Sequence, residues 1–271
     1  MSERVVVVGS SIGGIRTGQA LRAGGFDGDI VVVGAEDVDP YDKPPLSKDF
    51  LTGAKSASQI RLLDDAGWAG AGFTPVLGHP ATGLDTESRQ VTLGSGQRIG
   101  YDRLVIATGA RPRRLCDTAG EPTGHTVRDL QDSKALHSAM QRGGHVVVVG
   151  GGFIGCEVAA TARQLGCAAT IVDTAPVPLA RAVGVEVGRV LAATHAEAGT
   201  TLLADAAVDA VQPHGPDGAR LTLTDGRVLD ADVLVAGIGV APNTEWLVGS
   251  AVTLDDGVRT DQFCRVLGAT D

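Results

Sequence analysis

The chain has 271 residues and a formal net charge of −9, a balance that argues against general nucleic-acid binding. Hydrophobic residues make up 43% and charged residues 20% of the sequence, close to the globular norm, which disfavours intrinsic disorder. The apolar run near the start, residues 5–8, is far too short for a signal peptide or a membrane span. We therefore expect a cytoplasmic protein with no membrane and no nucleic-acid partner.

The first predicted element is a buried strand that breaks into a glycine-rich turn. Residues 4–14 read RVVVVGSSIGG, and an all-apolar run of this kind is typical of a parallel strand buried on both faces. A helix over 15–22 and a second strand over 30–33 follow, and then an irregular stretch rich in Asp and Pro. This succession predicts a dinucleotide-binding unit, in which a pyrophosphate lies at the helix N-terminus.

A second unit of the same kind begins at residue 145, after a predicted hairpin over 90–99 and a strand over 104–107. Residues 145–155 read HVVVVGGGFIG, and we predict a helix over 157–164 and a strand over 169–172. Further along, 221–229 forms a predicted hairpin with an Asp-Gly turn, and 233–236 a buried strand. One glycine-rich fingerprint is weak evidence, but two in one chain predict a protein that binds two dinucleotides.

An acidic residue after the second strand of each unit is a candidate ligand of the adenosine ribose. In the first unit this residue is Glu36, with Asp37 as a near alternative, and in the second it is Asp173. A solvated loop charge is the alternative explanation for either carboxylate. The first fingerprint carries Ser11 where the middle glycine usually lies, and its small side chain still permits a close approach and can donate to a phosphate.

Cysteine spacing gives no support for a metal site or a disulfide. The four cysteines, Cys116, Cys156, Cys167 and Cys264, form no CxxC or CxxxxC pair. Reduced structural thiols are the expectation for a cytosolic protein, and no pair of zinc ligands is available.

The chain resembles the ferredoxin-reductase type of FAD- and NAD(P)-dependent pyridine-nucleotide oxidoreductases, which includes putidaredoxin reductase and the reductases of aromatic-ring oxygenases. The resemblance covers essentially the whole chain and is carried by residues 9–14, Pro44-Pro45-Leu46-Ser47-Lys48, Ala107-Thr108-Gly109, 150–157 and 237–243. It implies an α/β fold with two Rossmann-like domains, in which an NAD domain (115–243) is inserted into an FAD domain (1–114 and 244–271). In related disulfide reductases a redox-active cysteine pair occupies the Pro-Pro-Leu-Ser-Lys region, where this sequence has no cysteine.

The resemblance implies that FAD binds at the first fingerprint and NAD at the second, with no metal. The motifs and the resemblance together give these cofactor-binding residues: Gly9, Ser11, Gly13, Gly14, Glu36, Lys48, Ala81, Thr108, Gly109, Arg128, Gly150, Gly152, Phe153, Ile154, Gly155, Glu157, Asp173, Gly237, Ile238 and Gly239. For Arg128, a structural ion pair is the alternative.

Two of these residues are candidates for a catalytic role. The resemblance places Lys48 beside the isoalloxazine, where a cation favours the anionic reduced flavin. It places Glu157 near the nicotinamide carboxamide. The alternatives are a solvated surface charge for Lys48 and, for Glu157, a purely structural carboxylate in the first helical turn, stabilised by the helix dipole.

The implied reaction is hydride transfer from NADH to FAD, followed by single-electron transfer to a ferredoxin-like iron–sulfur protein that serves an oxygenase. Oxygen, rubredoxin or nitrite as the acceptor, or a truncated nucleotide-binding module without flavin chemistry, are the alternatives. The family continues beyond the position of Asp271 with a flavin-binding aspartate and a C-terminal domain. From this we expect weak or no FAD binding by the 271-residue chain.

Overall fold

The computed structural model describes Ser2–Gly268 and consists of two compact units. Within the described residues, unit 1 comprises 2–43, 58–111 and 241–268, and unit 2 comprises Pro44–Ala57 and Pro112–Val240. Each unit is therefore assembled from segments that are distant in the sequence. The predicted domains have different bounds: they assign residues 44–57 and 112–114 to the first domain and residues 241–243 to the second. Which dinucleotide each unit binds stays a prediction.

Unit 1 combines a parallel sheet with a smaller antiparallel one. Its elements are β1 (Arg4–Val8), α1 (Ile12–Ala23), β2 (Asp29–Val33), α2 (Gly67–Ala71), β3 (Thr74–Val76), β4 (Ala81–Asp85), β5 (Gln90–Leu93), β6 (Arg98–Gly100) and β7 (Arg103–Ile106), after which β8 (Ala110–Pro112) leads to unit 2. The parallel sheet has the order β3-β2-β1-β7, and the antiparallel sheet has the order β4-β5-β6.

The valines of β1 are buried on both faces of the parallel sheet, which explains why the run contains no polar residue. Val6 and Val8 belong to a core cluster with Val91 from the antiparallel sheet. Val5 and Val7 face the opposite side and share a second cluster with Ile15 of α1. Unit 1 is therefore layered, with the parallel sheet between the antiparallel sheet and the helices.

Unit 2 repeats this plan. Its elements are β9 (Leu115–Cys116), β10 (Pro122–Thr123), α3 (Leu130–Met140), β11 (His145–Val149), α4 (Phe153–Gln164), β12 (Ala168–Val172), α5 (Ala180–Glu197), β13 (Thr200–Leu203), β14 (Val208–His214), β15 (Gly218–Leu223), β16 (Val228–Ala231) and β17 (Val233–Ala236), after which β18 (Val240–Pro242) leads back to unit 1. The parallel sheet has the order β13-β12-β11-β17, and β14-β15-β16 form the antiparallel sheet.

The strand order of both parallel sheets reverses beside the first strand of the unit, between β1 and β7 and between β11 and β17. Open α/β sheets bind ligands at the carboxyl ends of the strands at such a switch point. Both glycine-rich turns lie at this position, directly after β1 and β11. The topology therefore confirms the predicted pair of Rossmann-like units.

The helices differ from the prediction at their N-termini. Both α1 and α4 begin immediately after the turn, three and four residues before the predicted starts at 15 and 157. The residues that end the two turns, Ser11 and Gly152, have extended backbone and act as the N-caps. Within Ser2–Gly268, no helix is both long enough and apolar enough to cross a membrane.

The segment Pro44–Ala57 belongs to unit 2 because it is bonded to two helices of that unit. It begins with a 3₁₀ turn, Pro44–Ser47. The hydroxyl of Ser133 on α3 donates to the carbonyl of Leu46 at 2.7 Å, and the hydroxyl of Thr161 on α4 donates to the carbonyl of Ser47 at 2.7 Å. These long-range bonds explain why this segment departs from the predicted domain boundary.

We expect Gly155→Ala to lower the free energy of unfolding by about 1–3 kcal/mol or more, because an added Cβ would lie 1.9 Å from the carbonyl oxygen of Gly150. The matched control is Gly152→Ala in the same turn, whose Cβ would meet no atom within 4 Å. This control should lower stability by no more than about 1 kcal/mol, the usual cost of alanine at an N-cap. Urea denaturation followed by circular dichroism measures both changes, and equal losses would contradict this packing argument.

Candidate functional site

The glycine-rich turn of unit 1 brings the start of α1 against the end of β1. Gly9 has a φ of 123°, and its N–H donates to the carbonyl of Val33 at 2.8 Å. A Cβ on Gly9 would lie 2.1 Å from the carbonyl oxygen of Ala107, and one on Gly14 would lie 1.9 Å from that of Gly9. Ser11 has a φ of −93°, which suits serine, and its hydroxyl makes no capping bond. The turn therefore exposes a helix N-terminus suited to an anion.

Beside this turn lies a cavity of about 500 Å³, a size typical of small-molecule sites. It is lined by Val8, Gly9, Val33, Ala35, Pro80, Ala81, Thr108, Arg111, Asn243, Glu245 and Trp246. The cavity thus unites three predicted site residues, Gly9, Ala81 and Thr108. The hydroxyl of Thr108 donates to the carbonyl of Asn243 at 2.8 Å, and the amide of Asn243 donates to the carbonyl of Thr108 at 2.9 Å.

Asn243 and Trp246 also line this cavity, and neither is among the predicted site residues. Asn243 ends the segment 237–243, which carries part of the family resemblance. Its N–H donates to the carbonyl of Gly109, another predicted site residue, at 3.0 Å. Gly13 lies within α1, where its carbonyl accepts the hydroxyl of Thr17 at 2.8 Å.

Glu36 is held by two neighbouring side chains at the end of β2. The hydroxyl of Tyr41 donates to its Oε2 at 2.5 Å, and the ammonium of Lys43 donates to its Oε1 at 2.7 Å. The same ammonium lies 4.2 Å from the centre of the Tyr41 ring. Glu36 is therefore a fixed carboxylate rather than a freely solvated charge, whereas Asp37 is exposed. Each carboxylate oxygen has a second lone pair for a further donor.

The glycine-rich turn of unit 2 has the same geometry with a more open middle position. Gly150 has a φ of 107°, and a Cβ there would lie 2.4 Å from the carbonyl oxygen of Gly237. Gly152 meets no atom within 4 Å. Three large apolar side chains of the predicted set are exposed in unit 2: Phe153, Ile154 and Ile238. Such side chains can cover a flat ring and keep water from it.

Asp173 closes this turn through both carboxylate oxygens. The N–H of Gly151 donates to Oδ2 at 2.6 Å, and the N–H of Ala175 donates to Oδ1 at 3.0 Å. The side chain therefore has a fixed position after β12, at the carboxyl edge of the sheet. A ribose hydroxyl can still bond to the remaining lone pairs, and a second negative charge at this place would be repelled.

Lys48 and Glu157 form an ion pair within unit 2, with 2.7 Å between Nζ and Oε2. The hydroxyl of Ser47 donates to the same Oε2 at 2.5 Å. The expectation that Glu157 lies in the first helical turn is wrong, because α4 begins at Phe153 and puts Glu157 in the second turn. The contacts with Ser47 and Lys48, more than the helix dipole, therefore account for the position of this carboxylate.

Arg128 precedes α3 and is half-buried. Its N–H donates to Oδ2 of Asp132 at 2.9 Å. Burial raises the pKa of Asp132, and the charge of Asp129, the N-cap of α3, adds to this effect. Among the residues from Ser2 to Gly268, no carboxylate pairs with the guanidinium of Arg128. A structural ion pair, the alternative explanation for this arginine, is therefore not found in the described part of the chain.

The cysteines divide into two exposed and two buried thiols. Cys116 and Cys264 are exposed, whereas Cys156 and Cys167 are buried. Burial, with a contribution from the charges of Asp173 and Glu157, raises the pKa of Cys156 to about 11. Over the described range, Ser2–Gly268, no three His, Cys, Asp or Glu side chains are grouped to hold a metal ion. Asp271, which entered the prediction about flavin binding, lies outside the described residues.

Paired parallel sheets, each with a glycine-rich turn and a fixed carboxylate, define a protein with two dinucleotide-binding units. Residues 3–270 match the family described as pyridine nucleotide-disulphide oxidoreductase, and the chain belongs to this family. The anthranilate 1,2-dioxygenase system ferredoxin–NAD(+) reductase component of Burkholderia cepacia is 40% identical over 266 residues, which cover 96% of this chain and 64% of that protein.

Two further comparisons agree. The biphenyl dioxygenase system ferredoxin–NAD(+) reductase component of Paraburkholderia xenovorans is 37% identical over 262 residues, which cover 96% of this chain and 64% of that protein. The crystal structure of the covalent putidaredoxin reductase–putidaredoxin complex matches with a TM-score of 0.90 and 31% identity, over 98% of this chain and 65% of that one. The chain thus spans somewhat less than two thirds of the length of these relatives.

We expect Cys116 and Cys264 to react with Ellman's reagent at about pH 8, and Cys156 and Cys167 to react only after unfolding. The raised pKa of Cys156 keeps its thiol protonated, and burial blocks access to both protected thiols. Titration of the native and the urea-unfolded protein, with peptide mapping of the labelled sites, measures this pattern. Rapid labelling of Cys156 in the native protein would show that this thiol is neither buried nor inert.

Proposed function

We propose that the chain forms the dinucleotide-binding part of an NADH-dependent flavoprotein that passes electrons to a ferredoxin-like iron–sulfur protein of an oxygenase system. The observation that carries this proposal is the duplicated site, in which each unit joins a glycine-rich turn to a fixed carboxylate, Glu36 or Asp173. The names of the relatives, ferredoxin–NAD(+) reductase components of dioxygenase systems, support the electron acceptor.

The residues of unit 1 fit FAD. The turn at Gly9–Gly14 offers a helix N-terminus for a pyrophosphate, and the hydroxyl of Ser11 makes no capping bond. Glu36 supplies a fixed acceptor for ribose hydroxyls, and the cavity beside the turn brings Ala81 and Thr108 to the same place. The turn at Gly9 has no room for a Cβ, and a cavity lies beside it. Together the turn and the cavity suit an extended dinucleotide.

The residues of unit 2 fit NAD(H). Gly152 leaves open space at the N-terminus of α4, and Asp173 supplies the acceptor for the ribose. Phe153 and Ile238 present exposed apolar surface suited to the nicotinamide ring. Arg128, half-buried and without a carboxylate partner in the described range, supplies a positive charge for a phosphate.

When bound, NAD(H) would supply hydride chemistry, and FAD would supply both hydride and single-electron chemistry. In this assignment the protein positions the groups and shapes the electrostatic field. Lys48 would contribute a positive charge that stabilises the anionic form of a bound group. Glu157 would hold Lys48 in place through Oε2. The apolar side chains of Phe153 and Ile154 would exclude water from the reacting atoms.

Anaerobic spectroscopy tests the proposed function. The 271-residue chain, supplied with excess FAD, is mixed with NADH and then with a [2Fe–2S] ferredoxin. We expect NADH to bleach the flavin absorption at a rate that depends on the chain, and the ferredoxin to restore it. Restoration by oxygen, rubredoxin or nitrite, but not by the ferredoxin, would favour a different acceptor. FAD is in excess because this chain is expected to bind it weakly at best. NADH binding with no flavin binding even in this excess would favour a nucleotide-binding module and contradict the proposal.

We expect the chain to bind NADH more tightly than NADPH, because Asp173 would face the 2′-phosphate of NADPH. Like charges about 4 Å apart cost roughly 1 kcal/mol in water-like surroundings and roughly 4 kcal/mol at an effective dielectric of 20. This range corresponds to roughly five-fold up to several-hundred-fold discrimination. Calorimetric titration with both nucleotides measures the ratio of the dissociation constants.

Asp173→Asn should reduce this preference, since it removes the charge and keeps the shape of the side chain. Glu36→Gln is the matched control, because it removes the corresponding carboxylate of unit 1 and should leave the ratio unchanged. Equal dissociation constants for NADH and NADPH in the unsubstituted chain would show that Asp173 does not face the nucleotide.

A further inference from the structure

Ser47 is a buried hydroxyl group with a charged acceptor in unit 2. The residue is 1% exposed, and its hydroxyl donates to Oε2 of Glu157 at 2.5 Å. The ammonium of Lys48 pairs with the same oxygen at 2.7 Å. Two donors from adjacent residues thus engage one carboxylate oxygen on a helix that is more than a hundred residues further along the chain.

The other oxygen of Glu157 is available. In the described part of the chain, no hydrogen-bond donor contacts Oε1, although the side chain is only 27% exposed. A partly buried carboxylate oxygen with a fixed orientation is an acceptor for a ligand N–H. The carboxamide group of a nicotinamide ring is a donor of this kind.

Hydrogen bonds fix the backbone at Ser47 on both neighbouring helices. The carbonyl of Ser47 accepts the hydroxyl of Thr161, one turn after Glu157 on α4, at 2.7 Å. The carbonyl of Leu46 accepts the hydroxyl of Ser133 on α3 at 2.7 Å. Because Thr161 and Glu157 lie on the same helix face, the 3₁₀ turn and α4 are joined by two hydrogen bonds that fix the Ser47 hydroxyl relative to the carboxylate.

From this geometry we propose that Ser47 is a positioning residue that orients Glu157 toward the nicotinamide carboxamide. Ser47 holds Oε2, so that Oε1 presents its lone pairs to the ligand. Lys48 alone cannot fix this orientation as well, because its side chain is 47% exposed and exposed ion pairs are weak. The inference rests on the proposed binding of NAD(H) to unit 2, and it concerns recognition of the ring rather than of the ADP part.

Calorimetric titrations with three probes test this role. NAD⁺ carries the carboxamide, 3-acetylpyridine adenine dinucleotide replaces it with an acetyl group that has no N–H, and ADP-ribose has no ring. The unsubstituted chain should bind NAD⁺ roughly three- to tenfold more tightly than the acetylpyridine analogue, as expected for one hydrogen bond. Ser47→Ala should abolish this preference and leave the affinity for ADP-ribose unchanged.

Ser133→Ala is the matched control, since it removes an equally buried hydroxyl from the same anchoring region without touching Glu157. It should keep the preference for NAD⁺. Glu157→Ala should abolish the preference by itself, and adding Ser47→Ala to it should have no further effect. If Ser47→Ala does not fold, Ser47→Cys, which keeps the shape with a weaker donor, should reduce the preference.

The outcomes separate this inference from the proposed function. A chain that binds neither NAD⁺ nor ADP-ribose would overturn both. Binding of both, with the same preference for NAD⁺ in Ser47→Ala as in the unsubstituted chain, would overturn only the role of Ser47. Loss of the preference in Ser133→Ala as well would show that Ser47 acts through general packing and would contradict a positioning role.

Discussion

Both units depend on one steric constraint, the close approach of a helix to the strand that precedes it. In unit 1 the α-carbon of Gly14 packs against the carbonyl of Gly9, and in unit 2 Gly155 packs against Gly150, with no room for a Cβ in either case. This contact fixes the N-terminus of the helix at the carboxyl end of the central strand. The exposed N–H groups, the switch in strand order and the acidic residue after the next strand then meet at one edge of the sheet.

A second constraint is the anchoring of the Pro44–Ser47 turn on α3 and α4. Hydrogen bonds from Ser133 and Thr161 bring Ser47 and Lys48 to Glu157, although more than a hundred residues separate them in sequence. The charged pair therefore depends on packing within unit 2 and not on the local structure of either segment. A carboxylate with one oxygen occupied and the other available follows directly from this arrangement.

The sequence predicted the elements whose physical signal is local. The buried strands are recognisable because burial on both faces excludes polar residues, and the Asp-Gly turn correctly indicated the β15–β16 hairpin. Helix α5 was not predicted, since Gly184 interrupts it with a non-helical φ of 80° and only Gly188 within it is buried, so that its apolar pattern is weak. Helix α3 had a signal that went unused, its N-cap Asp129, which accepts the N–H of Asp132.

For the site, the sequence identified the residue types but not their partners. The fingerprints located Glu36 and Asp173, yet nothing in the local pattern indicated that Tyr41 and Lys43 hold the first carboxylate. The partnership of Ser47 with Glu157 was equally inaccessible, because no periodicity links residues of two distant segments. Contacts of this kind depend on how distant elements pack, and no local pattern in the sequence shows this packing.

The central claim is that each unit has its own dinucleotide site. The most direct test is a calorimetric titration of FAD into the 271-residue chain that is already saturated with NAD⁺, which does not reduce the flavin. The account predicts that FAD binds without displacing NAD⁺, and that Glu36→Gln weakens only FAD binding while Asp173→Asn weakens only NAD⁺ binding. Displacement of NAD⁺ by FAD would show a single shared site and would contradict the account.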